Sequence, residues 1–353
     1  MSINDKTIQI ANSNIGYKHP IFIIAEAGVN HNGDIKIARK LVEEAKKCGA
    51  NCLKFQTFKA EQVVTQNAPK AKYQLKTTDP TESQFEMLKK LELPLDSYTD
   101  LIKYCNKHDI IFLSTPYSED DVDFLVDIGV PAFKLASICV AEPQFIQYVA
   151  RKGKPVILST GMAELQEVRD AVNAFYDTGN KDLILLQCTT NYPSRLEDAN
   201  LHAMVTMHDT FGSLVGYSDH TQDDTACIVS VGLKATVIEK HFTLDKNLPG
   251  PDQSSSYDPI EFTRLVRNIR NAETTLGSYN KEPCVIEKKN ALGMRRSIVA
   301  KKNIKRGTTI TKDMITCKRP ATGIKPNFIL DIVGRVAKND IPIDKLLHWS
   351  DIN

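Results

Sequence analysis

Residues 21–26 read IFIIAE, an apolar run that ends in a carboxylate. Seven further runs of this kind follow, and side chains able to do chemistry lie at or just after their ends. The eight runs are Ile21–Ala25, Cys52–Phe55, Ile110–Leu113, Ala132–Ala136, Val156–Leu158, Leu183–Leu186, Leu214–Gly216 and Thr236–Ile238. Parallel strands all end at the same side of a barrel. The pattern therefore predicts an α/β protein with a (β/α)8 TIM barrel, whose functional side chains gather at the carboxyl ends of the strands, here called the mouth.

Amphipathic helical patterns separate most of these runs, as parallel pairing requires. We expect helices at Asp34–Cys48, Leu95–Lys107, Glu119–Ile128, Pro143–Arg151, Leu165–Tyr176, Asp224–Leu233 and Pro259–Leu276. The long step between the second and third runs is predicted to hold a loop over the mouth, Thr57–Pro80, and an added helix, Glu82–Leu91. Residues 6–17 alternate apolar and polar side chains, which indicates a hairpin below the barrel.

The pattern changes after Gly277, where a second, smaller domain is predicted. We assign residues 1–280 to the barrel with its hairpin, 281–293 to a linker and 294–353 to a small domain with β-like runs. Those runs are Ser297–Ala300, Thr309–Thr311 and Ile332–Val336. Residues 281–325 carry 13 Lys or Arg and 3 Asp or Glu, a local charge of +10. Three interpretations of this segment are open: a solvated surface, a lid that faces an anion, or a patch that binds nucleic acid. The segment lacks the interleaved aromatic residues that stack on bases, which disfavours nucleic-acid binding.

Composition narrows the class of protein further. The 353 residues are 42% hydrophobic and 25% charged, with a net charge of +2, which favours neither nucleic acid nor membrane as a partner. No apolar run has the roughly 20 residues needed to cross a bilayer, and residues 1–5 do not resemble the start of a secretory signal. The eight cysteines include no Cys-x-x-Cys pair, which favours reduced thiols over disulfides or a zinc cage. We therefore expect a cytoplasmic enzyme.

Two histidines follow neighbouring runs and are candidate metal ligands. Neighbouring strands lie about 4.8 Å apart, so His220 and His241 can share one divalent ion if they stand at matching heights. The alternative is that each is a hydrogen-bonded residue of the barrel wall. Asp219 and Glu239 lie beside them and can orient the rings.

Two lysines, Lys54 and Lys134, lie within apolar runs, where an unpaired ammonium group is costly. Three interpretations remain open: ion pairs with Glu26 or Glu239, electrostatic binding of a phosphate or carboxylate, or an imine-forming lysine. Hydroxyl groups at the ends of four different strands favour phosphate binding. They belong to Thr115, Ser137, Ser159 and Ser218.

Glu26 can act as a general base or position a water molecule, and otherwise it neutralises Lys54 or Lys240. At least one residue of Asn30-His31-Asn32 is expected to serve the turn that follows. The turn Pro249-Gly250-Pro251-Asp252 places a carboxylate where it can reach back over the mouth, although a turn needs no function.

Taken together, these motifs resemble the sialic acid synthase family of phosphoenolpyruvate-condensing barrels. The resemblance is carried by Glu26–Gly33, Lys54–Gln56, Ser114–Pro116, Ser159–Met162, Gly216–Thr221, Glu239–Asp245 and Pro249–Asp252. Met294–Ser297 and Lys318–Pro320 resemble the antifreeze-like SAF domain, a β-clip fold, that ends members of the family. The resemblance spans nearly the whole chain in order.

The resemblance implies a set of roles. His220 and His241 would hold Mn2+ or Mg2+, and Glu26 would help deliver water. Phosphoenolpyruvate would be bound by Lys54, Thr115, Lys134, Ser137, Ser159, Thr190 and Ser218, with Asn191 as an alternative to Thr190. The sugar would be bound by Gln56, Tyr192, Asp252 and Arg319, the last across a domain-swapped homodimer.

The resemblance implies N-acetylneuraminate synthesis from N-acetylmannosamine first, with legionaminate or pseudaminate synthesis from a 2,4-diacetamido-6-deoxy hexose as the alternative. One departure bears on this choice. Cys139 stands where many relatives carry an acid that contacts the sugar, and Glu142 is the nearest carboxylate after it. An impaired barrel that only binds sugars is the alternative of another class.

Overall fold

A computed structural model describes residues 6–353, which form two compact units. The first unit extends to Gly277 and the second comprises Ser278–Asn353. The predicted barrel and its parallel strands are confirmed, but the five N-terminal residues considered for a secretory signal lie outside the described part of the chain.

The first unit begins with a hairpin, β1 (Ile8–Ile10) and β2 (Ser13–Ile15), paired antiparallel. The buried isoleucines of this hairpin pack against residues from the barrel interior, including Phe22 and Val237 at the start of their strands. The hairpin therefore closes the bottom of the barrel, as predicted.

Eight parallel strands form the barrel. They are β3 (Phe22–Gly28), β4 (Cys52–Thr57), β5 (Ile111–Pro116), β6 (Phe133–Leu135), β7 (Val156–Ser159), β8 (Leu183–Cys188), β9 (Leu214–Asp219) and β10 (Val237–His241). Their order is β5-β4-β3-β10-β9-β8-β7-β6, and the end strands β5 and β6 lie beside each other, which closes the curled sheet. Most strands run two or three residues beyond the apolar runs because the polar residues that follow belong to the strands themselves.

The helices of the first unit follow the strands, and most of them cover the outside of the barrel. In chain order they are α1 (Ile35–Lys47), α2 (Ala60–Val63), α3 (Gln74–Thr77), α4 (Gln84–Leu91), α5 (Ser97–Lys107), α6 (Glu119–Asp127), α7 (Pro143–Ala150), α8 (Leu165–Tyr176), α9 (His202–Phe211), α10 (Thr225–Gly232) and α11 (Pro259–Leu276). The sequence patterns predict all the longer helices except α9. That helix buries only Met204 and Met207, so it has no apolar stripe to recognise.

Helix α1 illustrates how local sequence fixes an element. The Asp34 side chain accepts a hydrogen bond from the Lys36 N–H at 2.7 Å, which caps the first turn. Gly49, just past the end, adopts φ of 87°, a conformation that glycine tolerates without strain. The buried face comprises Ala38, Leu41, Val42 and Ala45.

The second unit has its own apolar core, which includes Ile298, Ile310 and Leu347. Its elements are α12 (Val285–Met294), β11 (Ser297–Ala300), β12 (Ile315–Lys318) and α13 (Ile329–Ile332). Strands β11 and β12 pair antiparallel. The expected strand at Ser297–Ala300 is confirmed, whereas Thr309–Thr311 and Ile332–Val336 are not strands; they meet only in an isolated bridge between Thr309 and Val336.

Helix α12 begins in the segment that the sequence interprets as a linker, residues 281–293, and ends one residue beyond it. None of its side chains is buried, which explains why its sequence lacks an apolar period. Within residues 6–353, no helix combines the length and the apolar character needed to cross a membrane.

Candidate active site

Strand register brings a carboxylate, an ammonium group and an imidazole to one level of the mouth. Glu26 on β3 pairs with Lys54 on β4 and with His241 on β10. One level lower, Glu239 on β10 pairs with Ser218 on β9. All five side chains are buried, so the parallel ladder itself assembles the predicted cluster.

The two predicted lysines form a buried ion-pair network. Lys54 Nζ lies 2.6 Å from Glu26 Oε2 and 3.9 Å from Glu239, and Lys134 Nζ lies 3.5 Å from Glu239 Oε1. Both ammonium groups also donate to hydroxyls, Lys54 to Thr115 at 3.0 Å and Lys134 to Ser159 at 2.7 Å. The ion pairs expected from sequence are therefore present, and they hold both lysines among the hydroxyls proposed to bind phosphate.

Burial and neighbouring charges shift the pKa values of the two carboxylates of this network in opposite directions. Burial raises the pKa of Glu26 to about 7, although Lys54 opposes the change. Burial also acts on Glu239, but Lys134 and Lys54 outweigh it and lower the pKa of that carboxyl to about 2. Glu239 therefore remains ionised at neutral pH, whereas Glu26 exchanges a proton there.

The remaining predicted hydroxyls also face the mouth. Ser218 donates to Glu239 at 3.0 Å, and Ser137 accepts from the Gly161 N–H at 2.9 Å. A Cβ added to Gly161 would lie 2.3 Å from Thr190 Oγ1 and 2.9 Å from Ser137 Oγ. A side chain at position 161 would therefore displace both hydroxyls.

The two imidazoles stand side by side. The ring centroids of His220 and His241 are 5.3 Å apart, with 59° between the ring planes. His220 Nδ1 lies 2.7 Å from the Thr189 carbonyl oxygen, which leaves Nε2 as its nitrogen for a ligand. His241 Nδ1 is buried without a hydrogen-bond partner among residues 6–353. Burial and the neighbouring His220 lower the pKa of His241 well below its ordinary value, which keeps that imidazole neutral.

The predicted roles of Asp219 and Glu239 as partners of the histidines are wrong. Asp219 Oδ2 lies 2.6 Å from Lys240 Nζ and accepts from Cys227 on α10, so it faces the helices. Lys240 is therefore not a partner of Glu26 either. Glu239 faces the lysines, and a backbone carbonyl, which carries no sequence signal, orients His220.

The predicted sugar-binding residues of the barrel surround the same mouth. Gln56 Nε2 donates to Glu26 Oε1 at 3.3 Å, and Asp252 Oδ2 lies 4.0 Å from His241 Nδ1. The Tyr192 ring lies 4.1 Å from the His220 ring, centroid to centroid. Burial raises the pKa of Asp252 to about 6.

Three further residues are named in the sequence analysis. Arg319 follows β12 and is exposed in the second unit. Cys139 is buried in a 3-10 helix, Ser137–Ala141, and Glu142 is exposed just before α7. Burial raises the pKa of the Cys139 thiol to about 12, so the thiol is neutral at neutral pH.

The turn residues have structural contacts. Asn32, with φ of 50°, donates from its side chain to the Pro249 carbonyl at 2.8 Å, which ties the turn before α1 to the turn before Asp252. Asn30 donates to the Phe242 carbonyl and to Ser256. The sequence predicts that at least one of these residues serves the turn, and the conformation and contact of Asn32 agree with that prediction.

A parallel eight-stranded barrel with acid, lysine and imidazole side chains converging at its carboxyl-end mouth defines a barrel enzyme. Residues 41–281 match the model of the NeuB family, and residues 295–353 match that of the SAF domain. The chain therefore belongs to the NeuB family and carries an SAF domain.

Relatives and solved structures agree with this assignment. The chain is 44% identical to an N,N'-diacetyllegionaminic acid synthase of Legionella pneumophila subsp. pneumophila over 94% of both chains. It is 36% identical to the N-acetylneuraminate-9-phosphate synthase of Mus musculus, over 91% of this chain and 89% of the relative. The N-acetylneuraminic acid synthetase structure from Leptospira borgpetersenii superposes with a TM-score of 0.72 at 31% identity, covering 81% of this chain and 95% of that one.

Proposed function

We propose that this enzyme joins phosphoenolpyruvate to the open-chain aldehyde of an acetamido sugar, producing a nonulosonate and phosphate. The observation that carries the proposal is the convergence of a carboxylate, two ammonium groups and two imidazoles in one buried mouth. These groups belong to Glu26, Lys54, Lys134, His220 and His241. The synthases among the relatives support the same reaction class.

Phosphoenolpyruvate would lie against Lys54 and Lys134. Ammonium groups and hydroxyls make charge-assisted hydrogen bonds to phosphate and carboxylate oxygens. The hydroxyls are those of Thr115, Ser137, Ser159, Thr190 and Ser218. With Glu26 half protonated near pH 7, the lysine network keeps part of its positive charge for an anionic substrate.

The imidazole pair fits a divalent ion. His220 has one nitrogen held by a backbone carbonyl, and His241 has a buried nitrogen without a partner. Within residues 6–353, no group of three or more His, Cys, Asp or Glu side chains is arranged to hold a metal, so water and substrate oxygens would complete the coordination. Mn2+ or Mg2+ bound by His220 and His241 would supply Lewis-acid polarisation of the sugar aldehyde.

The protein side chains then guide the bond changes. The C3 carbon of the enol attacks the aldehyde carbon, whose C=O π bond breaks while the aldehyde oxygen takes up a proton. This step forms the new C–C bond and leaves C2 electron-deficient. Glu26, whose pKa of about 7 suits proton transfer at neutral pH, takes a proton as water adds to C2. The tetrahedral adduct releases phosphate when its C–O bond breaks, and the ketone forms.

We propose a 2,4-diacetamido-6-deoxy hexose as the preferred sugar, which makes the product N,N'-diacetyllegionaminate. Support comes from the higher identity to the Legionella synthase than to the mouse N-acetylneuraminate-9-phosphate synthase. The neutral Cys139 in place of an acid also favours a sugar with fewer polar groups. This order reverses the one that the resemblance alone implies, and N-acetylmannosamine remains the alternative.

We also propose that the enzyme is a domain-swapped homodimer in which Arg319 of the partner subunit reaches the acetamido group of the sugar. This part of the proposal rests on the family resemblance. An exposed guanidinium at position 319 is available for such a contact.

Phosphate release with a panel of sugars tests the reaction. We expect phosphate release that requires both phosphoenolpyruvate and an acetamido sugar, that stops with EDTA and that returns with Mn2+ or Mg2+. Mass spectrometry of the products from a mixture of sugars identifies the preferred one. Absence of phosphate release with every sugar and added metal would contradict the proposal and favour a barrel that only binds sugars.

A further inference from the structure

One segment beside the mouth closes on itself through a buried ammonium group. Residues 70–82 are called the strap here. The Lys70 Nζ contacts Thr78 Oγ1 at 2.9 Å, the Asp79 carbonyl at 2.6 Å and Glu82 Oε1 at 2.9 Å. The Lys70 side chain is 1% exposed. Because one ammonium group bonds to three points near the far end of the strap, the segment between them has a defined shape.

The strap is attached to the mouth at two places. Thr77 Oγ1 donates to the Pro251 carbonyl at 3.3 Å, in the turn that carries Asp252. The Tyr73 ring lies 5.1 Å from the Tyr192 ring, with 37° between their planes. Tyr192 in turn lies beside His220, so the rings of Tyr73, Tyr192 and His220 form a continuous row that ends at the proposed metal pair.

This row gives one side of the sugar site an aromatic surface. Aromatic faces recognise C–H groups and gain by excluding water from them, whereas they offer little to an extra hydroxyl. A 2,4-diacetamido-6-deoxy hexose has two methyl groups that N-acetylmannosamine lacks, one at C6 and one on the C4 acetamide.

We propose that Tyr73 is a specificity-determining residue whose ring, held against Tyr192 by the strap, contacts one of these two methyl groups. The proposal rests on the proposed function and assigns the sugar preference to a residue outside the eight strands. The phenol oxygen of Tyr73 has no part in the contact, since the ring face provides the surface.

Three sugars separate the two methyl groups. They are 2,4-diacetamido-2,4,6-trideoxymannose, its analogue with a hydroxyl at C6, and its analogue with a hydroxyl in place of the C4 acetamide. The wild-type enzyme should prefer the first over one of the analogues by about 10- to 100-fold in kcat/KM, as a hydrophobic contact of this size allows. The analogue that is disfavoured identifies the methyl group.

Substitutions at Tyr73 test the contact. Tyr73→Ala should abolish most of this preference and raise KM for the trideoxy sugar about tenfold, while KM for phosphoenolpyruvate stays within about twofold. Tyr73→Phe should behave like the wild type. Tyr279→Ala is the control, because that side chain is 98% exposed.

Thr77→Val provides a second variant that keeps the ring but removes the bond to Pro251. It should reduce the same preference by a smaller factor, since the strap then holds Tyr73 less firmly. If Tyr73→Ala lowers kcat/KM equally for all three sugars, or leaves the preference intact, the inference is overturned while the proposed function stands. A wild-type enzyme without activity on any of these sugars or on N-acetylmannosamine overturns both.

Discussion

At the scale of single residues, the mouth shows how one kind of side chain can take different roles. Glu26 and Glu239 are both buried carboxylates on adjacent strands, yet the pKa of one lies near 7 and that of the other near 2. Burial and the charge of Glu239 raise the pKa of Glu26 despite Lys54, whereas at Glu239 the charges of Lys134 and Lys54 outweigh burial. Environment, and not residue type, therefore decides which acid exchanges a proton.

His31 yields a prediction at this scale, because burial lowers its pKa from 6.5 to about 4. Its Nδ1 accepts from the Gly33 N–H at 3.0 Å, and its Nε2 has no partner within the described residues. The folded state keeps the ring neutral while the unfolded chain binds a proton below pH 6.5, so acid favours unfolding. Between pH 7 and pH 5 this one group should lower the free energy of unfolding by about 2 kcal/mol.

Urea unfolding of the wild type and of His31→Gln at both pH values measures this contribution. The variant should lose about 2 kcal/mol less than the wild type on going from pH 7 to pH 5. An equal loss in both proteins would show that His31 is protonated in the folded state or accessible to water.

At the scale of elements, the loop after β7 places Gly161 between two hydroxyls, those of Ser137 and Thr190. Gly161→Ala would introduce a Cβ 2.3 Å from Thr190 Oγ1 and 2.9 Å from Ser137 Oγ, so both side chains must move. If both hydroxyls bind phosphoenolpyruvate, KM for that substrate should rise about tenfold or more, which corresponds to losing one charge-assisted hydrogen bond.

Gly232→Ala is the matched control, because a Cβ at that position meets no atom within 4 Å. Steady-state kinetics with varied phosphoenolpyruvate distinguish the two variants. If KM for phosphoenolpyruvate is unchanged in Gly161→Ala, the proposal that Thr190 and Ser137 bind this substrate is contradicted.

Elements also show what local patterns miss. The patterns that predict α8 and α11 over their full observed ranges are long amphipathic stripes. Helix α9 buries two methionines, and α12 buries nothing, so neither leaves such a stripe. Helix signals in a sequence report burial of one face, and they fail where a helix has little to bury.

At the scale of the whole molecule, the proposed dimer can be tested by mixing two variants that each have little activity at limiting sugar. His241→Ala should abolish activity through the metal pair, and Arg319→Ala should weaken sugar binding. If Arg319 acts across the dimer, a mixed dimer contains one site with both changes and one intact site. Equal mixing during refolding or co-expression should then restore about a quarter of wild-type activity at limiting sugar.

The two variants measured separately are the control for this experiment, together with the distribution of oligomers by native mass spectrometry. If Arg319 acts within its own chain, every site in the mixed dimer carries one change, and no activity returns. That result would contradict the domain-swapped arrangement.

The sequence by itself determined the barrel and the residue types at its mouth. Eight apolar runs that contain or precede Glu26, Lys54, His220, His241 and similar residues are compatible with few other folds, because parallel strands must end at one face. The side chains come from strand ends, so their convergence follows from the topology.

The tertiary structure decided which of those side chains contact one another. Asp219 was expected beside His220 but pairs with Lys240, because alternate residues of a strand face opposite sides of the sheet. The backbone carbonyl of Thr189 holds His220, and the strap brings Tyr73 to Tyr192. These contacts join residues distant in the chain or use backbone atoms, and neither kind leaves a periodic signal in the sequence.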